Sequence, residues 1–226
     1  METLILPRRS EIIRAHKARG GRIAAVLPIH YPRALFRAFD ILPVEVWGPP
    51  RVDPTLGSAH LQPYVCSIVR NALSFLLTGG LDVADVIVVP HTCDSLQGFA
   101  SILIDFIMRP PLSKTGEGWG GGTKPVLPIY LPRGNRPSDL EFLTNEFHSI
   151  YNALAEITQR IPTNADLMAS IEREEQADDL LAQLHRNRQN AALSQIDLYR
   201  LIRSREYLPA ESFLSLRGAF SATKQS

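Results

Sequence analysis

Two cysteines are the residues of this sequence best suited to bind a metal centre. Cys66 and Cys93 are the only cysteines among 226 residues. Cys66 stands at the start of an apolar helical pattern, and Cys93 follows an apolar strand pattern by three residues. Helix starts and strand ends meet at the carboxyl edge of a parallel sheet, so the two thiols can point into one crevice. Thiolates in such a place suit a soft metal ion or an iron–sulfur cluster.

The surroundings of each cysteine also allow structural interpretations. A thiolate at a helix start is stabilised by the helix dipole and by free N–H groups, which favours a ligand or nucleophile at Cys66. Alternatively, Cys66 is a small apolar residue packed under the helix. Near Cys93, Asp94 could cap the next helix. His91 could donate a proton, ligate a metal or hydrogen-bond the loop.

The number of ligands is the open question for a metal site. Cys93 lies 27 positions after Cys66, and the sequence has no CxxC pair. Two thiols alone are therefore a weak signal for a zinc or an iron–sulfur site, since each needs about four ligands, and the lack of nearby ligand pairs also weakens a thiol-redox domain. His30, His60 and His91 fall in predicted loops and could complete a site. The remaining ligands could instead come from a second chain, a solvent molecule or inorganic sulfide.

The elements that would position these residues alternate between strand and helix patterns. Apolar runs predict strands, over 23–27, 43–47, 85–90 and 125–130. Amphipathic patterns predict helices between and after them, over 32–39, 64–77, 96–108, 137–158, 166–190 and 195–203. This order predicts an α/β fold, a flavodoxin-like or Rossmann-like three-layer domain with a parallel sheet of about four strands, followed by C-terminal helices. Prolines in the fourth run place that strand at an edge.

The same patterns divide the chain into three parts. Residues 1–20 predict an amphipathic helix, 21–160 the α/β domain with both cysteines, and 161–226 a helical C-terminal extension. Between Pro110 and Lys124 a glycine-rich stretch predicts a mobile loop or lid. It has neither the P-loop pattern nor a GxGxxG followed by a helix.

Composition excludes several classes of function. The formal net charge is +1, which gives no support to a nucleic-acid partner. No apolar run approaches the ~20 residues that span a bilayer. No Gly-x-Ser-x-Gly elbow is present, so a serine hydrolase has little support. Two cysteines and no export signal predict a cytoplasmic protein with free or metal-bound thiols.

Four segments carry a likeness to a known family: residues 32–44, 60–70, 85–94 and 130–133. The first follows the pattern P-E-x-L-x-x-A-x-G-x-x-P-V, except that Arg33 and Asp40 replace its Glu and Gly. The second and third contain Cys66 and Cys93, and the fourth is a Leu-Pro element before a helix. Together they resemble the iron–sulfur subunits of 2-hydroxyacyl-CoA dehydratases and benzoyl-CoA reductases.

The resemblance implies a specific cofactor and site. Cys66 and Cys93 would hold a [4Fe–4S] or double-cubane iron–sulfur cluster, incomplete within this chain or shared between chains. Ser67, His91 and Asp94 would be the catalytic candidates beside it. An ATP-dependent activator protein would deliver low-potential electrons for the radical dehydration or reduction of an acyl-CoA substrate.

The resemblance also implies partner chains. Subunits of the family usually carry a second flavodoxin-like domain with a third cluster cysteine. We therefore expect this chain to correspond to the N-terminal half of a subunit. It would work in an oligomer with a paralogous iron–sulfur subunit or with a chain that carries the second half. The alternative is a non-catalytic accessory subunit that keeps the fold, has lost the cluster and binds partners through its C-terminal helices.

Overall fold

A four-stranded parallel sheet is the centre of the fold. The computed structural model describes residues 4–49, 51–107, 124–189 and 193–217. The strands are β1 (Arg22–Val26), β2 (Ile41–Glu45), β3 (Val86–Pro90) and β4 (Val126–Ile129). They lie in the order β2-β1-β3-β4 and are flanked by helices, so the prediction of a three-layer α/β fold with about four parallel strands is confirmed. Apart from Lys124, the predicted glycine-rich loop lies outside the described residues.

The first three strands are mostly apolar because they are buried on both faces, whereas β4 is only partly buried. Every residue of β3 is buried, and Val86 to Val89 are fully inaccessible. The register pairs Ala24 with Val86 and Val89 with Pro128. Among the described strands β4 is at an edge, as its prolines predict. The strand order matches the first four positions of the doubly wound order 2-1-3-4-5, whose ligand crevice lies between β1 and β3.

Most helices follow the amphipathic patterns. The helices of the described residues are α1 (Arg9–Ala18), α2 (Arg33–Ala38), α3 (Thr55–Ser58), α4 (Ser67–Leu77), α5 (Phe99–Ile102), α6 (Pro137–Thr158), α7 (Asn164–Arg186), α8 (Gln195–Ser204) and α9 (Ala210–Leu214). A π-helical turn, Leu103–Ile107, continues α5. The predicted helix over 96–108 starts later than expected because Gly98 is left-handed, with φ of 85°. The short helices α3 and α9 were not predicted.

Contacts divide the chain into two compact units. The sheet unit comprises Arg22–Tyr31 and Val44–Gln159, and it contains both cysteines. The helical unit comprises Met1–Gly21, Pro32–Pro43 and Arg160–Ser226. The boundary crosses β2, between Pro43 and Val44. The three-part domain division of the sequence stays a prediction.

The helical unit has its own apolar core. Its buried members come from α7, α8, α9 and the turn before α9: Ala177, Leu180, Leu184, Leu201, Leu208, Ala210 and Phe213. Helix α7 packs against both α2 and α9. A buried guanidinium, Arg205, pairs with Glu174 at 2.9 Å and with Asp178 at 2.6 Å. The C-terminal helices are therefore held by packing as well as by ion pairs.

A buried histidine ties the first helix to the turn before β2. His16 is 2% exposed, and its Nε2 lies 3.0 Å from the carbonyl oxygen of Asp40. Asp40 has φ of 57°, in the left-handed region that glycine adopts most easily. The family pattern has glycine at this position, which agrees with that backbone conformation. Gly21 is required here, because a Cβ would lie 2.2 Å from Nε2 of His16.

Candidate functional site

The two cysteine segments meet at the carboxyl edge of the sheet unit. Cys66 is the N-cap residue of α4, and Cys93 lies in the loop that follows β3. The backbone N–H of Cys66 donates a hydrogen bond of 3.1 Å to Oγ of Ser95, two residues after Cys93. Both cysteines are free and exposed. The structure therefore brings the two thiol-bearing segments together and leaves both thiols accessible.

Local hydrogen bonds determine the path of each segment. After β3, the N–H of His91 donates to the carbonyl of Ile129, which extends the pairing of β3 with β4 by one residue. The N–H groups of Leu96 and Gln97 then donate to the carbonyl of Cys93, at 3.0 and 2.9 Å, and form a tight turn. This turn places Ser95 opposite the start of α4.

Exposure excludes one of the two interpretations of Cys66. Helix α4 buries Val69 and Leu73 on its inner face, whereas Cys66 is exposed at its N-terminal end. The alternative that Cys66 is an apolar residue packed under the helix is therefore wrong. The position of Cys66 at the start of a helix was predicted correctly. Helix α4 begins at Ser67 and not at residue 64, because the N–H of Val65 forms a separate turn with the carbonyl of Gln62.

His91 packs against an aromatic ring. Its ring centroid lies 4.3 Å from that of Tyr130, with the planes tilted by 57°. Its Nε2 is buried and has no hydrogen-bond partner among the described residues. Burial lowers the pKa of His91, and the negative charge of Glu146 partly opposes that shift. The imidazole is accordingly neutral at neutral pH.

Ser67 and Asp94 are both exposed beside the cysteines. Ser67 is the first residue of α4, directly after Cys66, and Asp94 directly follows Cys93. The prediction that Asp94 caps the next helix is wrong, because α5 has Gly98 as its N-cap and no side-chain cap. The turn between Cys93 and Gln97 separates Asp94 from that helix. Its carboxylate remains available for other contacts.

The donor set fits an iron–sulfur centre in kind but not in number. Thiolates are the ligands that such clusters use, and about four are usual. Within the described residues, no group of three or more His, Cys, Asp or Glu side chains could hold a metal ion. His30, His60 and His91 therefore do not complete a site with Cys66 and Cys93 in these ranges.

Two features of this edge were missed by sequence reasoning. One is Ser95, since nothing in the pattern marks a serine that accepts from a backbone N–H 29 residues away. The other is Glu45, which ends β2, is 5% exposed, and accepts from the Tyr31 hydroxyl at 3.1 Å and from Trp47 Nε1 at 2.7 Å. The charged residue inside an apolar strand was a signal that could have identified it.

Comparison with known proteins gives a consistent set of relatives. The model of the family described as 2-hydroxyglutaryl-CoA dehydratase, D-component, matches residues 28–221. The beta subunit of (R)-2-hydroxyglutaryl-CoA dehydratase from Acidaminococcus fermentans is 30% identical over 112 residues, which are 46% of this chain and 30% of that subunit. A benzoyl-CoA reductase subunit from Thauera aromatica is 24% identical over 195 residues, 84% of this chain and 47% of that subunit.

A third relative is similar in extent. The beta subunit of lactoyl-CoA dehydratase from Anaerotignum propionicum is 23% identical over 159 residues, 69% of this chain and 38% of that subunit. This chain thus spans between about a third and a half of the length of these curated relatives. The family match includes both cysteines. No helix within the described ranges is long and apolar enough to cross a membrane.

Proposed function

Because this chain belongs to the family of the 2-hydroxyglutaryl-CoA dehydratase D-component, we propose that it is an iron–sulfur subunit, or the N-terminal half of one. The enzyme would be of the 2-hydroxyacyl-CoA dehydratase or benzoyl-CoA reductase type. The observation that carries this proposal is the pair of exposed free thiols, Cys66 and Cys93, on segments joined through Ser95. Both lie inside the part of the chain that the family model matches.

Cys66 and Cys93 would hold a [4Fe–4S] or double-cubane cluster. Their soft sulfur donors suit iron and sulfide, and their exposure leaves room for an inorganic core. The remaining ligands would be inorganic sulfide, solvent or groups from another chain. When bound, the cluster would supply one-electron chemistry at low potential and an iron that polarises a substrate oxygen.

Three polar side chains are proposed to contact the reacting part of the acyl-CoA. Ser67 and Asp94 are exposed and each directly follows a proposed ligand, so both can hydrogen-bond a substrate bound at this edge. Ser67 offers a hydroxyl donor, and Asp94 offers carboxylate oxygens that accept a substrate hydroxyl. His91 is held against Tyr130 and would present a neutral imidazole beside Cys93.

The proposed enzyme needs partner proteins. By their names, the relatives are subunits of larger enzymes. We propose that a paralogous iron–sulfur subunit, or a chain carrying the second half, assembles with this one in the cytoplasm. An ATP-dependent activator protein would deliver the electrons that the reaction consumes.

Anaerobic metal analysis tests the cluster. We expect the purified chain, reconstituted with ferrous iron and sulfide, to be brown and to contain both elements. Cys66→Ser and Cys93→Ser should each lose most of the iron and sulfide, since each removes one of the two protein thiolates. Ser149→Ala, an exposed serine of α6, is the matched control and should retain them.

The opposite result supports the alternative function. A chain that stays colourless and metal-free after reconstitution, with cysteine variants indistinguishable from it, would be an accessory subunit that keeps the fold without the cluster. The shortage of protein ligands among the described residues is the observation that favours this second candidate. Addition of the partner subunit before reconstitution distinguishes a cluster completed by that partner from one that never forms.

A further inference from the structure

We propose that Ser95 is a positioning residue that holds the two cysteine segments in register, so that Cys66 and Cys93 bind one soft metal centre together. This inference rests on the ligand roles proposed above. It concerns a residue that neither the sequence pattern nor the comparisons identify.

A hydrogen bond joins the two cysteine segments. Oγ of Ser95 accepts the backbone N–H of Cys66 at 3.1 Å. Because Cys66 is the N-cap of α4, this bond places the start of the helix directly against the loop after β3. Cys66 has no side-chain cap bond of its own, so its thiol is not used to hold the helix start.

Hydrogen bonds and burial hold the turn that carries Ser95 in place. The carbonyl of Cys93 accepts from Leu96 and Gln97, and Leu96 is only 4% exposed. The turn is therefore anchored in the core on one side and to the Cys93 backbone on the other. A hydrogen bond to Ser95 consequently sets the position of Cys66 relative to Cys93.

This arrangement should raise the affinity of the two thiols for a metal ion. Two thiolates that are already held together lose less conformational freedom when they bind the same ion than two thiolates on independent loops. A serine hydroxyl has one donor besides its acceptor lone pairs, and no described contact of Ser95 uses that donor. The hydroxyl proton of Ser95 can therefore be donated to the sulfur of a ligand cysteine. Removal of a hydrogen bond to a metal ligand typically lowers metal affinity about 10–100-fold.

The experiment measures binding of Cd²⁺ to the metal-free, reduced chain under anaerobic conditions. The thiolate-to-metal charge-transfer absorbance reports the affinity and, from its intensity per bound ion, the number of thiolates. We expect Ser95→Ala to weaken binding about tenfold or more and to reduce the intensity per ion toward that of a single thiolate. Ser101→Ala, an exposed serine of α5, is the matched control and should bind as the wild type does.

A pair of larger substitutions isolates the hydroxyl. Ser95→Thr keeps it and should restore binding, whereas Ser95→Val has the same shape as Thr without the hydroxyl and should bind as weakly as Ser95→Ala. This pair also decides the outcome if Ser95→Ala does not fold. Urea unfolding measures whether a variant also changes the stability of the fold. We expect only a small change in the free energy of unfolding, because the hydrogen bond between Cys66 and Ser95 is exposed.

Distinct results overturn the inference and the proposed function. If Ser95→Ala and Ser95→Val bind Cd²⁺ with wild-type affinity and intensity, Ser95 does not position the thiols. The same conclusion follows if Cys66→Ser leaves Cd²⁺ binding unchanged, because the thiols then do not share one ion. If Cd²⁺ binding depends on Ser95 but no iron–sulfur cluster forms on reconstitution, with or without the partner subunit, Ser95 positions the thiols and the proposed function fails.

Discussion

Replacement of His16 by glutamine should remove part of the pH dependence of folding. The imidazole is 2% exposed, with Nε2 at 3.0 Å from the Asp40 carbonyl and Nδ1 at 3.4 Å from Nη2 of Arg19. Because an arginine can only donate, Nδ1 is the acceptor, and the proton of the neutral ring lies on Nε2 facing the carbonyl. A second proton would have to enter between Nδ1 and the guanidinium.

Nearby charges both raise and lower the pKa of His16, and burial has the largest effect, so the pKa is lowered. Burial lowers the pKa of His16, the hydrogen bond to the Asp40 carbonyl raises it, and the positive charge of Arg37 lowers it. The Asp40 carboxylate raises the pKa and Arg19 lowers it. The folded chain therefore takes up this proton at lower pH than the unfolded chain does.

The sign and size of the effect follow from linkage. Between the unfolded pKa of about 6.5 and the lower folded pKa, the unfolded state binds more protons, so stability falls as the pH falls. The slope for one group cannot exceed about 1.4 kcal/mol per pH unit. From pH 6.5 to 5.5, His16 should therefore contribute a loss of up to about 1 kcal/mol.

Urea unfolding of the metal-free, reduced chain between about pH 7.5 and 5.5 measures this loss. His16→Gln keeps a donor for the Asp40 carbonyl and should flatten the pH dependence by the amount above. His148→Gln is the control, since His148 is exposed on α6, and should keep the wild-type dependence. The groups that do not contact His16 are the same in both proteins, so the difference between the two pH profiles reports His16. Equal pH slopes for wild type and His16→Gln would refute the reasoning.

Two further substitutions test how the elements near and beyond the site are held. Ser74→Ala should lower the free energy of unfolding by about 1–3 kcal/mol, because it leaves the buried N–H of Gly57, now bonded at 2.7 Å to the serine Oγ, without its partner. In a parallel urea titration, Ser149→Ala at an exposed position should change the free energy of unfolding by less than about 0.5 kcal/mol. Equal losses for Ser74→Ala and Ser149→Ala would contradict the role of burial. Thr163→Ala should lower the free energy of unfolding by about 1 kcal/mol, because the Thr163 hydroxyl accepts a hydrogen bond from the Asp166 N–H at the start of α7. Thr163→Ser should restore that loss, and failure to do so would point to the methyl group instead of the cap.

Elements with a strong local period were predictable. The runs that became β1, β2 and β3 are mostly apolar because a parallel sheet covered on both faces excludes water, and β4, which is partly buried at an edge, was marked by its prolines. The long helices α6 and α7 were predicted from their starts, where Pro137 and Thr163 occupy positions that favour helix initiation. Short elements were not, since α3 and α9 have too few residues to show a period.

The candidate site was predictable in the positions of its two cysteines and only partly in its contacts. Cys66 and Cys93 were identifiable because cysteine is rare here and both follow element boundaries. The cap assigned to Asp94 was wrong because the left-handed Gly98 starts the helix further along the chain. The part played by Ser95 depends on the approach of two segments that are distant in sequence.

By itself, the sequence determined the α/β class, the edge at which both thiols emerge and the family, because each depends on local periodicity or on short motifs. Tertiary structure alone decided that the Cys66 N–H meets Ser95, that Glu45 is buried between Tyr31 and Trp47, and that His16 is enclosed without charge. The physical reason is that burial and hydrogen-bond partners arise between segments that only the folded chain brings together. The periodic patterns of a sequence do not show which polar groups a distant segment will bury.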